Sequence, residues 1–311
     1  MTDSARTEFA ASASAPTMSL PRPLSVVVAL IAVYILWGST APAIKIAVAS
    51  IPPWWLAGAR FALAGAVLWA WVRARGVALP TAGECGQAAV TGIVLLVLGN
   101  GVFSYVLQYI PSGVGALFFA LAPLFMAIFA FAFYRERLSR LAILGIAIGF
   151  GGMIFLYSPS GGQHLPLWPT ILGALSSLAW AFGSIMQRRS RASDVVQMSA
   201  LQMLSAAAVL FVMAAVSGKH LTSASFHAAP LGALAYLILF GSIVGFSAFL
   251  WLLNNVPTTL ASTYSYVNPV VSLAIGIGFL HEPFSWRLAA GAAVIVVGVA
   301  IMMMAPRPRA V

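Results

Sequence analysis

The sequence predicts an all-α membrane protein in which ten transmembrane helices form two inverted five-helix repeats, with both termini cytoplasmic. Three observations lead there: a near absence of charge, a lopsided distribution of the basic residues, and an internal repeat. Charged residues are 7 % of the 311-residue chain and hydrophobic types reach 61 %. A soluble domain carries roughly a quarter charged residues, so a water-facing surface cannot be assembled, and lipid is the alternative solvent.

A span needs about twenty mostly apolar residues, and cutting at Pro, Gly or charge clusters gives ten stretches. Residues 1–23 are small, polar and proline-bearing, with no apolar core of signal-peptide type, and read as a disordered cytoplasmic tail. Span 1 covers 24–45 and closes at Lys45; span 2 covers 54–73, after Pro52-Pro53. Spans 3 (87–109) and 4 (112–133) are separated by little more than Pro111. Span 5 (141–157) is short and follows a cluster of arginines, and span 6 (168–187) stops at Arg188-Arg189. Span 7 covers 195–217, span 8 covers 230–252, span 9 runs 258–280 after Pro257, and span 10 runs 287–304. Residues 305–311 are a second cytoplasmic tail.

Charge placement tests the count. With the N-terminus on one side, twelve of the sixteen basic residues share that side: Arg6, Arg22, Arg73, Arg75, Arg135, Arg137, Arg140, Arg188, Arg189, Arg191, Arg307 and Arg309. Lys219 and Arg287 fall opposite, and Lys45 and Arg60 lie within or at the ends of spans. This is the positive-inside asymmetry of ten spans with cytoplasmic termini; one span more or fewer would scramble it.

The chain also repeats itself. At an offset of 146 residues, Gly99, Phe103, Pro111, Pro123, Glu136, Gly145 and Gly152 fall on Gly245, Phe249, Pro257, Pro269, Glu282, Gly291 and Gly298. Earlier in each half the offset is 143, matching Trp37 with Trp180 and Lys45 with Arg188. The repeats, 24–157 and 168–304, hold five spans each, and an odd number inverts the second copy. Inverted repeats are the architecture of many secondary transporters, with substrate near the midplane where the copies meet.

WGSTAPAIK at 37–45, ARFALAG at 59–65, the APLF…YRERLS run at 122–139 and NPVV…LHEPFSW at 268–286 resemble the EamA-type members of the drug/metabolite transporter superfamily. The resemblance spans about residues 25–304. It implies a ten-helix bundle of two inverted repeats in a bacterial inner membrane, exporting amino acids or related small metabolites. It further implies that helices 1, 3, 4, 6, 8 and 9 line a central cavity, with 5 and 10 peripheral. One departure is electrostatic: Gln202 stands at the position matching Arg60.

Enzyme motifs fail one by one. SGKH at 217–220 lacks the glycine spacing of a Walker A loop, and HEPFS at 281–285 has no second His. No GxSxG elbow appears, and lone Cys85 excludes a disulfide framework and every CxxC site. No cofactor, metal or nucleic-acid partner is expected. All six acidic residues (Asp3, Glu8, Glu84, Glu136, Asp194 and Glu282) belong to tails, loops or span ends, as do the four histidines. Proton-driven transporters bury a titratable group at mid-depth, so the expectation is facilitated efflux or exchange.

The expected cavity residues are Trp37, Asn100, Ser104, Tyr105, Phe119, Trp180, Tyr264, Tyr266 and Asn268. Deep indoles need an N–H partner or a cavity, and Asn100 both donates and accepts. Helix packing and helix–helix hydrogen bonds are the competing account of each. Pro123 and Pro269 are expected to kink spans 4 and 9, one wall apolar (Phe118, Phe119) and the other bearing hydroxyls. Lys45 and Arg60 suit a substrate carboxylate from the outer side, or ion pairs. Glu282 with Lys45 (or Arg60) and Glu136 with Arg188 would gate opposite faces. Headgroup contacts and static loop packing stand against that. GxxxG pairs at 145/149 and 241/245 suggest packing inside the bundle, and no oligomer is required. A sugar-phosphate or nucleotide-sugar permease, and a non-transporting membrane scaffold, remain the alternatives.

Overall fold

The computed structural model describes residues 23–135, 138–157, 166–187, 194–256, 260 and 263–304, and among these every regular element is helical. Helix α1 is Pro23–Val48, interrupted at Ser39; α2 is Pro53–Ala74, α3 Ala82–Val106 and α4 Ser112–Phe133. Then come α5 (Arg140–Tyr157), α6 (Leu167–Gln187), α7 (Val195–Val216), α8 (228–255), α9 (Tyr264–Leu280) and α10 (Trp286–Met304). Eight of these are long and apolar enough to cross a membrane; α5 and α9 are shorter apolar helices. Of the expected ninth span, 258–280, the helix Tyr264–Leu280 is described, and 257–259, 261 and 262 lie outside the described residues.

Local chemistry sets the ends. Pro53 occupies the first turn of α2, where its missing N–H costs nothing. Thr81 and Glu84 form a reciprocal capping box at the start of α3, and Asp194 accepts the Gln197 N–H at the start of α7 (2.8 Å). Matched helices stop alike. Gly76 after α2 and Gly218 after α7 are both left-handed (φ +69° and +65°). Arg135 and His281, which close α4 and α9, share that region at φ 54° and 52°, a conformation that costs non-glycine residues.

The two halves pack reciprocally. α1 lies on α8 and α9 while α6 lies on α3 and α4; α2 pairs with α7, α4 with α9, and α5 with α10. Interchanging first- and second-half partners leaves this set unchanged. The α5–α10 seam is close because its glycines face each other: a Cβ on Gly298 would lie 2.4 Å from the Gly149 nitrogen. The GxxxG of 145/149 thus serves packing inside the bundle.

Hydrogen bonds between connections show which ends are neighbours. Trp55 Nε1 donates to the Lys219 carbonyl, Ser225 Oγ to that of Ser50, and Arg287 to that of Phe155. With the contacts of Lys45 and Glu282 described below, these bring the C-terminal ends of α1, α3, α5, α7 and α9 to one end of the bundle. At the other end Gln197 donates to the Ala78 carbonyl (2.8 Å), beside the start of α7. Exposed Val, Leu and Ile side chains such as Ile31, Leu63, Ile143, Val212 and Val297 clothe the outside, the surface a lipid-solvated bundle presents.

Candidate functional site

Two helices lose their regular winding at corresponding places. Ile93–Gly101 in α3 and Leu237–Val244 in α8 are wound as π-helix, and the offset of 146 carries one segment onto the other to within a few residues. A π-segment weakens the hydrogen-bond ladder and is usually found where function needs it.

Arg60, from α2, joins the two segments. Its Nε donates to Ser242 Oγ in α8 (2.9 Å) and its Nη1 to Asn100 Oδ1 in α3 (3.4 Å). The residue is 6 % exposed. Nη2 faces the Cα of Gly241: a Cβ built there would lie 3.3 Å from Nη2 and 3.8 Å from the Thr40 hydroxyl. Among the described residues no carboxylate pairs with this guanidinium. The second half answers with a neutral contact, Gln202 Nε2 to Thr91 Oγ1 at 3.0 Å. Arg60, expected toward the outer side with Lys45, is instead buried between α2, α3 and α8.

The deep tryptophans repeat a geometry. Trp180 lies over Gly99 (3.4 Å from a Cβ there) and Trp37 over Gly245 (2.7 Å). Trp37 donates to the Gly241 carbonyl inside the α8 π-segment (3.1 Å) and packs with Phe249 and Tyr264, each ring 5.0 Å away. Trp180 meets Phe119, which in turn meets Phe103. Trp37, Phe249 and Tyr264 thus form one aromatic cluster, and Trp180, Phe119 and Phe103 its counterpart.

The other expected residues spread outward from this centre. The Ser104 hydroxyl is taken up by the Asn100 carbonyl of its own helix (2.9 Å). Tyr105 stacks on Trp54 (5.4 Å, 7° between planes) and lies near Tyr109 and Trp168. It therefore belongs to an aromatic group at the ends of α2, α3 and α6 and does not join the Arg60 cluster. Oriented so that its amide nitrogen faces the two acceptors beside it, Asn268 donates to the carbonyls of Tyr264 (3.2 Å) and Tyr34 (3.3 Å), tying α9 to α1. Tyr266 packs against the larger core cluster. Pro123 lies beside the break at Leu121 that divides α4, whereas Pro269 is inside an uninterrupted α9. Ser176 bonds its own helix, and Ser177 Oγ is buried without a partner among the described residues.

Lys45 and Glu282 meet at one turn, but no salt bridge joins them. Lys45 Nζ donates to the carbonyls of Leu107 (2.7 Å) and Ile110 (2.9 Å), at the C-terminal end of α3. Glu282 accepts from Ser112 N (2.7 Å), Ser112 Oγ (3.0 Å) and Gly113 N (3.3 Å), at the N-terminus of α4. Cation on carbonyls and carboxylate on amides is the arrangement helix dipoles favour. The expected ion pair is thus replaced by two backbone caps on either side of Pro111. Its proposed counterpart, Glu136 with Arg188, lies outside the described residues.

Residue types alone do not single out Ser242, Gly241 or Thr40. The only signal was the 241/245 glycine spacing, which marks close approach without saying what approaches.

The profile of the EamA-like transporter family matches residues 24–158 and again 167–304. The chain belongs to that family. It is accordingly a multi-pass membrane transporter and not an enzyme. It is 40 % identical over 258 residues to an uncharacterized inner membrane transporter, YedA, of Escherichia coli (strain K12), covering 83 % of each chain. It is 27 % identical over 299 residues to a probable amino-acid metabolite efflux pump of Salmonella typhimurium, covering 89 % of this chain and 94 % of that one. A solved structure titled "Crystal structure of protein" superposes with a TM-score of 0.64 at 23 % identity, covering 90 % of this chain and 96 % of the other. That likeness concerns the fold alone.

Proposed function

We propose that this protein is a ten-span exporter of amino acids or related small metabolites in a bacterial inner membrane. It works by rocking two inverted repeats, 24–157 and 168–304, about the site between them. The reciprocal packing of the halves around Arg60 carries the reading: α2 with α7, α1 with α8 and α9, α6 with α3 and α4. Such an arrangement offers two access paths related by pseudo-symmetry, one opening as the other closes. The relative named as an amino-acid metabolite efflux pump supports the substrate class, and the basic residues of the 73–86 and 188–194 loops support a cytoplasmic face there.

The caps of Lys45 and Glu282 hold the α3–α4 turn from the end of α1 and the end of α9 respectively. They are the contacts that would have to yield for that face to open.

A sugar-phosphate permease would need several buried cations; among the described residues Arg60 is alone at mid-bundle, and Lys45 is committed to carbonyls. No acidic residue lies at the middle of a span, Glu84 sitting in the first turn of α3 and Glu282 past the end of α9, so transport runs on the solute gradient and not on protons. The test is a metabolite panel. Solutes excreted by cells with and without the protein are compared, then the differing solute is followed in proteoliposomes. Efflux should persist when the pH gradient is collapsed and the solute gradient kept; efflux that stops would contradict facilitated transport, and an unchanged metabolite profile would contradict export.

A further inference from the structure

We infer that Arg60 is the anion-recognition group of this transporter and that its solute carries a single carboxylate, received at Nη2 beside Gly241. The inference rests on the transport reading for its setting, and its own support is local. A guanidinium presents five N–H donors. Two described partners, Ser242 Oγ and Asn100 Oδ1, take one each, and both are neutral. A buried cation without a countercharge is costly, and an arginine needed only as a strut between α2, α3 and α8 is served as well by an uncharged side chain. Gln202 shows this at the matching position, where a neutral amide ties α7 to α3. The charge on one side only is therefore unexplained by packing.

Position supports the same conclusion. Arg60 contacts one residue in each π-segment, the irregular winding that recurs at functional sites. Gly241 packs its bare Cα against Nη2, and a Cβ there would lie only 3.3 Å from that nitrogen, so no side chain of α8 covers it at this position. The Thr40 hydroxyl stands on the same side, its proton given to the Leu36 carbonyl (3.0 Å). One guanidinium suits a monoanion and bonds it through charge-assisted hydrogen bonds; a phosphate dianion would leave one charge uncompensated.

The test uses the full chain, purified in detergent for binding and reconstituted in proteoliposomes for transport. Its probes are the common amino acids and straight-chain acids from acetate to octanoate, each beside its carboxamide. At least one carboxylate should raise the unfolding temperature of the wild type while its amide does not. Arg60→Gln should weaken that ligand's apparent affinity by about 10- to 100-fold, the size of a lost charge-assisted bond, and Arg60→Lys should weaken it less. Gly241→Ala keeps the guanidinium but crowds Nη2, so it should weaken binding in a protein that still folds. It carries the test, with Arg60→Lys, if Arg60→Gln does not fold. The inference is overturned if no carboxylate stabilises the wild type or if amides bind as well as acids. It is equally overturned if Arg60→Gln lowers stability while leaving affinity intact, the signature of a strut. A carboxylate that binds through Arg60 but does not cross the membrane refutes transport and keeps the site. Transport of any probe at wild-type rate by Arg60→Gln refutes the site and keeps transport.

Discussion

At the scale of single residues, charge is spent sparingly and almost always on backbone. Glu282 accepts three bonds from the first turn of α4, and Lys45 caps the last carbonyls of α3. Removing the carboxylate leaves amides unsatisfied at a partly buried helix end. Glu282→Gln should therefore lower the unfolding free energy by about 1–3 kcal/mol, read from thermal unfolding in detergent. Lys45→Met should lower it by a similar amount. If each residue acts only through its own helix end, the double variant loses close to the sum; a loss far below the sum would mean a direct pair after all. Residue types made these two candidates visible, because a carboxylate or ammonium at a span end must find a partner. They did not reveal the partners, since backbone groups 62 to 170 residues away leave no trace in side-chain composition. Arg60 was visible as a cation within a span, but a lone arginine does not say toward which helix it turns.

Among the helices, the seam between α5 and α10 depends on absent side chains. A Cβ on Gly298 would approach the Gly149 nitrogen to 2.4 Å, and one on Gly145 the Gly298 carbonyl to 2.6 Å. Gly298→Val must push the helices apart, so it should cost about 1–3 kcal/mol of stability by overpacking. Because this seam lies apart from Arg60, carboxylate affinity in the surviving folded protein should be unchanged; a matching loss of affinity would place the seam in the transport machinery. Span positions were legible because a twenty-residue apolar run is a strong signal, and most boundaries agree within a few residues. The π-segments were not. Winding responds to neighbouring helices, such as Trp37 against Gly245 and Trp180 against Gly99, and IVLLVLGNG reads by periodicity as ordinary helix.

For the molecule as a whole, the account stands on the second half being the first half turned over. The matched left-handed helix ends, the matched π-segments and the reciprocal packing are what that proposed arrangement would produce. The internal repeat was readable because glycines and prolines tolerate few replacements at close contacts and helix breaks, whereas the apolar residues between them interchange freely and carry little register. An electrostatic asymmetry, with Arg60 in one half and neutral Gln202 at the matching position, is superimposed on the shared frame. The most direct measurement is labelling of intact and permeabilised cells with a membrane-impermeant maleimide. It compares the single native Cys85, exposed at the start of α3, with a cysteine introduced by Pro283→Cys in a Cys85→Ser background. Inverted repeats predict that the 283 position reacts in intact cells and that Cys85 reacts only after permeabilisation. Reaction of both from the same side would contradict the arrangement.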